Sequence, residues 1–266
     1  MARSLSRALT RRCGYLGWLS ALFWSLEPGH ATDPGYWGSD TVTESERLFE
    51  EFCRNANLRL DRVAEGETKS PDYCMYLAST KVAVEVKQIE ANQEERALLC
   101  TPWDEWDPAN VHHWGVPGGR IRKKISSAVP QLRKLSQGRL PSLLVIYDTI
   151  VFWPELADEY AVKVAMYGVE TALISPDVAP EGGAKILRRW HGPRRRLTAE
   201  HNTTLSGLGL MNTGAQGISI RVYHNYYAAC PLPKDELEEA GVRQFELAGE
   251  PISDFPGWRE IKTPTS

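Results

Sequence analysis

The chain has few cysteines and spaces none of them as a pair. Cys13, Cys53, Cys74, Cys100 and Cys230 are odd in number, scattered over 266 residues and free of any CxxC. That pattern argues against a structural zinc and against a disulfide framework. His112-His113 lies near Cys100 but has no second cysteine at ligand spacing. Internal repeats and low-complexity runs are also lacking, which leaves an ordinary globular composition, 42% hydrophobic and 24% charged. The apolar uncharged run at residues 13–26 is short of a comfortable bilayer span, numbering 14 against about 20 for a spanning helix. Nor is there a positive excess, since 31 Lys and Arg face 34 Asp and Glu for a net charge of −3. A polyanion-binding protein of this balance must gather its cations locally.

Arg3, Arg7, Arg11 and Arg12 precede the uncharged run, and Pro28-Gly29-His30-Ala31 follows it. This is the layout of a secretory signal, with a basic region, a short apolar region and small residues at a cleavage point. The competing reading is a segment upstream of the natural start, or a disordered leader, on an intracellular protein. The expected location is cytoplasmic, with export as the alternative should residues 1–31 act as a signal. Four Arg and one Glu lie in residues 1–31, so the remainder holds 27 basic and 33 acidic residues.

The densest chemistry lies in residues 71–88. In 82–87, Val82, Val84 and Val86 alternate with Ala83, Glu85 and Lys87, the period-two pattern of a strand with two distinct faces. Glu85 and Lys87 then share a face. Residues 72–77 read as the antiparallel partner across the turn Ser79-Thr80-Lys81. Such a hairpin brings Asp72 beside Glu85 with Lys87 one step on. Two carboxylates at a strand end suit a hard divalent cation, and an adjacent ammonium can orient water and counter phosphate charge.

Pro71-Asp72 followed by Glu85-Val86-Lys87 on an apolar strand resembles the PD-(D/E)xK nuclease superfamily, the restriction-endonuclease-like fold. A second Pro-Asp, Pro176-Asp177, has no acid-x-Lys strand after it. The resemblance implies that Asp72, Glu85 and the Val86 carbonyl ligate Mg²⁺ or Mn²⁺, with Lys87 positioning the attacking water. It also implies a Glu from the first helix, for which Glu46 is the first choice and Glu50 the second. The activity implied is endonucleolytic hydrolysis of DNA, and homodimerisation would pair two such sites for double-strand cutting. Two other classes stay open: a non-catalytic nucleic-acid-binding module on the same fold, and a secreted binding protein.

The order of elements agrees with that resemblance over about residues 42–150. Thr41 or Thr43 is placed to cap a helix over 44–54 with Leu48, Phe49, Phe52 and Cys53 as its apolar stripe. A strand over 58–63 and the hairpin follow, then a short acidic helical stretch and a Trp-rich loop reaching residue 118. Ile121, Ile125, Ala128, Leu132 and Leu135 predict a second helix, interrupted at Pro130. Residues 143–147 (LLVIY) read as a strand buried on both faces. The fold class expected is α/β (α+β), a mixed sheet flanked by helices. Its core is 42–175, preceded by a leader and linker over 1–41 and followed by a C-terminal α/β extension over 176–266. Beyond residue 150 a helix over 155–167 and a strand over 169–174 are expected in the core, and an antiparallel pair over 204–211 and 218–223 and a helix over 234–240 in the extension.

Two basic clusters are candidates for phosphate contact. Residues 119–139 carry Arg120, Arg122, Lys123, Lys124, Arg133, Lys134 and Arg139 without an acid, with Gln131 on the same helix. Residues 185–196 carry Lys185, Arg188, Arg189, Arg194, Arg195 and Arg196 around Trp190 and His191. Such clusters neutralise phosphates, and Trp190 offers a stacking face for an unpaired base. The plainer reading of either cluster is a solvated face. His201-Asn202 and His224-Asn225 match no His-based nuclease spacing and read as turn and strand-end residues.

Overall fold

A computed structural model describes residues 42–64, 70–100, 116–150, 158–178, 184–192, 194–251 and 256–262. The leader-like segment, most of the Trp-rich loop with His112-His113, and residues 155–157 of the expected helix lie outside those described. Residues 42–266 form one unit, a mixed α/β arrangement in which helices flank a large mixed sheet.

The first helix, α1 (Glu44–Asn55), begins where the sequence supplies its missing acceptor. The Thr43 side chain accepts from the Glu46 amide, and the Glu46 carboxylate accepts from the Thr43 amide at 2.9 Å, a closed capping box. Three strands follow: β1 (Arg59–Arg62), β2 (Tyr73–Tyr76) and β3 (Lys81–Ile89), paired antiparallel in succession. The turn between β2 and β3 is held from outside. The Glu236 carboxylate accepts from the amides and hydroxyls of both Ser79 and Thr80 at 2.8–3.2 Å.

After the short α2 (Gln93–Leu99), α3 (Gly119–Ser136) packs on β3 and runs through the exposed Pro130. β4 (Ser142–Asp148) then pairs parallel with β3. Later elements are α4 (Glu159–Tyr167), β5 (Glu170–Val178), β6 (Ala184–His191), β7 (Gly207–Gly214), β8 (Gly217–His224), α5 (Lys234–Glu239), β9 (Arg243–Leu247) and β10 (Trp258–Glu260). The main sheet runs β1-β2-β3-β4-β7-β8-β9-β10, and β5-β6 stand apart as a two-stranded ribbon. The C-terminal residues thus continue the same sheet through β7. The β7–β8 turn is tighter than expected, because pairing persists to Gly214 and Gly217 and leaves only Ala215-Gln216 outside it.

The sheet divides two apolar clusters, and β3 shows why. Val82, Val84 and Val86 pack with Leu48, Phe49 and Phe52 of α1, whereas Ala83 and Ile89 pack with Ile121, Ile125 and Ala128 of α3. Burial on both faces is what a central strand with parallel and antiparallel neighbours demands. Glu85 and Lys87 occupy the α3 side of that strand. No described helix is long and apolar enough to cross a membrane.

Candidate active site

Asp72 sits one residue before β2, and the β2–β3 register pairs Tyr73 with Val84. Continued by one step, that register sets Asp72 opposite Glu85. A second step sets Pro71 opposite Val86. Proline has no N–H, so the ladder ends there for a chemical reason. The Asp72 carboxylate takes over one half of the missing pair, accepting the Val86 N–H at 2.7 Å. Within a strand, a residue's N–H and C=O are directed to the same neighbour. The Val86 carbonyl therefore lies toward Asp72, opposite a residue that cannot donate to it.

Glu85 is fully buried. Lys87, 25% exposed, makes an ion pair with it, yet neither Glu85 oxygen has a well-formed hydrogen bond. Taking a carboxylate out of water is costly even beside an ammonium, and its protonation responds. Burial and then the neighbouring Asp72 charge raise the Glu85 pKa to about 7, against the opposing pull of Lys87 and of the Asp72 backbone N–H. Asp72 is also raised, by burial first, with Glu46 adding to the rise and the Val86 amide, Lys87 and Arg62 opposing it.

These residues fit a divalent cation in their donor chemistry: two carboxylates at one strand end, one of them fully buried, and a backbone carbonyl facing a proline that cannot donate to it. They are a pair of side chains. Among the described residues no group of three or more His, Cys, Asp or Glu is placed to hold a metal ion, so further ligands would be the Val86 carbonyl and water.

The structure assigns the surrounding side chains distinct places. Glu46, 18% exposed along its side chain, closes the α1 capping box and meets Arg62 at 3.4 Å; it acts on Asp72 through its field. Glu50 accepts from the Tyr73 hydroxyl at 2.7 Å and from Arg62 at 3.2 Å. Arg62 also donates to Tyr73 at 2.8 Å. Sequence reasoning missed Arg62, whose role depends on the β1–β2 register. Gln88 points to the opposite face from Lys87, as the alternation predicts, and its side chain accepts from the Ser45 amide at 3.2 Å.

Helix α3 supplies a second wall. Gln131 donates to the Ser70 carbonyl at 3.3 Å, holding the segment that leads into Pro71-Asp72. Lys124 is half-buried, and its pKa is lowered by burial first and then by the nearby Lys87 charge. Lys123 is exposed. Arg120 is committed to Glu95, which closes the α2 cap with Asn92, and to the Glu90 carbonyl. Arg194 and Arg195 are exposed, while Arg196 is half-buried with its amide on the Met166 carbonyl. The His-Asn pairs serve the fold: His224 bonds Gln244 at 2.9 Å, Asn225 bonds the Leu205 carbonyl, and Asn202 bonds the Arg196 carbonyl.

Comparison with protein-family models, with curated proteins and with solved structures returns no match to this chain.

Proposed function

We propose that this chain is a metal-dependent nuclease on a restriction-endonuclease-like core, hydrolysing phosphodiester bonds of nucleic acid, DNA foremost, with Mg²⁺ or Mn²⁺. One observation carries the reading. A fully buried Glu85 carboxylate, ion-paired with Lys87, stands opposite Asp72, beside a Val86 carbonyl that Pro71 cannot satisfy. A fold maintains so costly an arrangement where a ligand completes it. The order of α1, β1 to β3, α3 and β4 supports the same reading.

When bound, a divalent cation supplies Lewis-acid polarisation of the phosphate and a water of lowered pKa. Asp72 and Glu85 would hold it. Lys87, tethered to Glu85 and partly exposed, offers an ammonium to the developing phosphorane charge and to the attacking water. Lys124 adds a second cation on the same side. The Asp72–Val86 bond fixes the ligand set, and Gln131 fixes the strand entry.

The test is incubation of the full chain with supercoiled plasmid, single-stranded DNA and RNA, each with Mg²⁺ and with EDTA. Metal-dependent cutting of any of them, lost in Asp72→Asn, supports the proposal and names the substrate class. Binding without cutting would move the assignment to a non-catalytic nucleic-acid-binding module.

A further inference from the structure

The β5–β6 ribbon is the least covered part of the described chain. Every side chain from Lys185 to Trp190 is exposed. Among the described residues nine large hydrophobics are exposed, and five of them lie here: Leu173, Ile174, Ile186, Leu187 and Trp190, at 37–55%. A lone two-stranded ribbon is marginal in water, and a concentration of exposed apolar side chains on one element marks a contact surface.

The register arranges the ribbon's two faces alike. Thr171 pairs with Trp190 and Leu173 with Arg188 on one; Ala172 pairs with Arg189 and Ile174 with Ile186 on the other. The irregularity between Leu173 and Ile174 leaves Leu187 as the extra residue. Each face thus carries apolar side chains and an arginine. The Arg188 guanidinium lies over the Trp190 ring, 5.6 Å from its centre.

The base of the ribbon is clamped. The Gly192 amide meets the Val169 carbonyl at 2.5 Å, and the amides of Arg196 and Leu197 both meet the Met166 carbonyl at the end of α4. Arg194 and Arg195 are exposed at that base.

Charge selects the occupant. Lys185 and Arg188 are exposed, and Glu170 at the start of β5 is paired with Lys163 at 2.6 Å. A second copy of the chain would oppose these cations to themselves. A polyanion neutralises them. Exposed Trp and aliphatic side chains reach bases only where the bases are unstacked or unpaired.

We infer that the β5–β6 ribbon is an arm that grips single-stranded nucleic acid, with Lys185, Arg188, Arg194 and Arg195 on phosphates and Trp190 against a base. This deepens the nuclease reading by naming the form of its substrate, and its test separates the two claims.

The test uses the full chain in EDTA, titrated into fluorescein-labelled oligodeoxythymidine and into a duplex of equal length over a salt series. The expected result is tighter binding of the single strand. Trp190→Ala weakens it about tenfold with a smaller effect on the duplex. Lys185→Ala with Arg188→Ala flattens the slope of log affinity against log salt by about 1.4. These side chains are exposed, so circular dichroism and melting stay as in the wild type.

Wild-type affinity in these variants, or preference for the duplex, overturns the inference. So does a dimer that the variants dissociate while oligonucleotide binding is unchanged. Ribbon-dependent binding without any Mg²⁺-dependent cutting keeps the arm and removes the nuclease. Cutting that ribbon variants leave intact does the reverse.

Discussion

Asp72 accepts the Val86 amide at 2.7 Å, and Pro71, in register with Val86, has no hydrogen to return to its carbonyl. A proline at this point stops the ladder one pair short and keeps a backbone oxygen available. Pro71→Ala restores the donor. Mn²⁺ affinity, measured by calorimetry, should fall about tenfold, the range seen when groups supporting a metal's ligands are altered. The melting temperature should stay the same or rise. Unchanged affinity would remove Val86 from the ligand set.

Glu85 makes the site pH-sensitive in a definite direction. Its folded pKa, about 7, is above the ordinary value near 4.3. The folded state therefore binds the proton more tightly than the unfolded state does. That contribution to stability is whole below about pH 4 and is lost as pH rises through 7, a difference of about 4 kcal/mol. Denaturant titrations of metal-free protein should show the loss between pH 5 and pH 8. Glu85→Gln should abolish it, and Mg²⁺ should raise the melting temperature of the wild type more at pH 8 than at pH 5. A flat profile in the wild type would contradict the buried carboxylate.

The Tyr73 hydroxyl ties β2 to α1 by donating to Glu50 and accepting from Arg62. Tyr73→Phe keeps the ring against Phe49, 5.7 Å between centres, and removes both bonds. The expected cost is about 1–2 kcal/mol, since one partner of each bond is charged. Equilibrium urea unfolding reads it directly. A loss below about 0.5 kcal/mol would show that Glu50 and Arg62 satisfy each other alone.

Gly118 precedes α3 with φ at 66°, and an added Cβ would come within 2.5 Å of the Ala161 carbonyl on α4. Gly118→Ala combines left-handed strain with a backbone clash. Destabilisation of about 2–4 kcal/mol is expected, with α3 displaced from α4 and Gln131 drawn off Ser70. Thermal melting and cleavage rate should fall together. A fully stable Gly118→Ala protein would place α3 and α4 differently.

Much of the central arrangement was legible because β3 writes its two faces in different chemistry. Valines met one helix layer, while Ala83, Glu85 and Lys87 met the other. The Asp72–Glu85 pairing followed from a short turn, and the α1 cap followed from Thr43 and Glu46. The rest depended on long-range pairing. Nothing local in residues 207–224 says that β7 joins β4 in parallel. β6 hid because all its described side chains from 185 to 190 face solvent, so no alternation marked it and its arginines read as a charge run. The commitment of Arg120 to Glu95 and of Arg62 to Glu50 likewise needed partners far away in the chain.

The most direct measurement is Mg²⁺-dependent phosphodiester cleavage by wild type, Glu85→Ala and Lys87→Ala, each first shown to fold by circular dichroism. The account predicts cutting by the wild type, its loss in EDTA, and a drop of at least about 100-fold in both variants. Cleavage that survives either substitution, or no cleavage of DNA or RNA by a folded wild type, would contradict it.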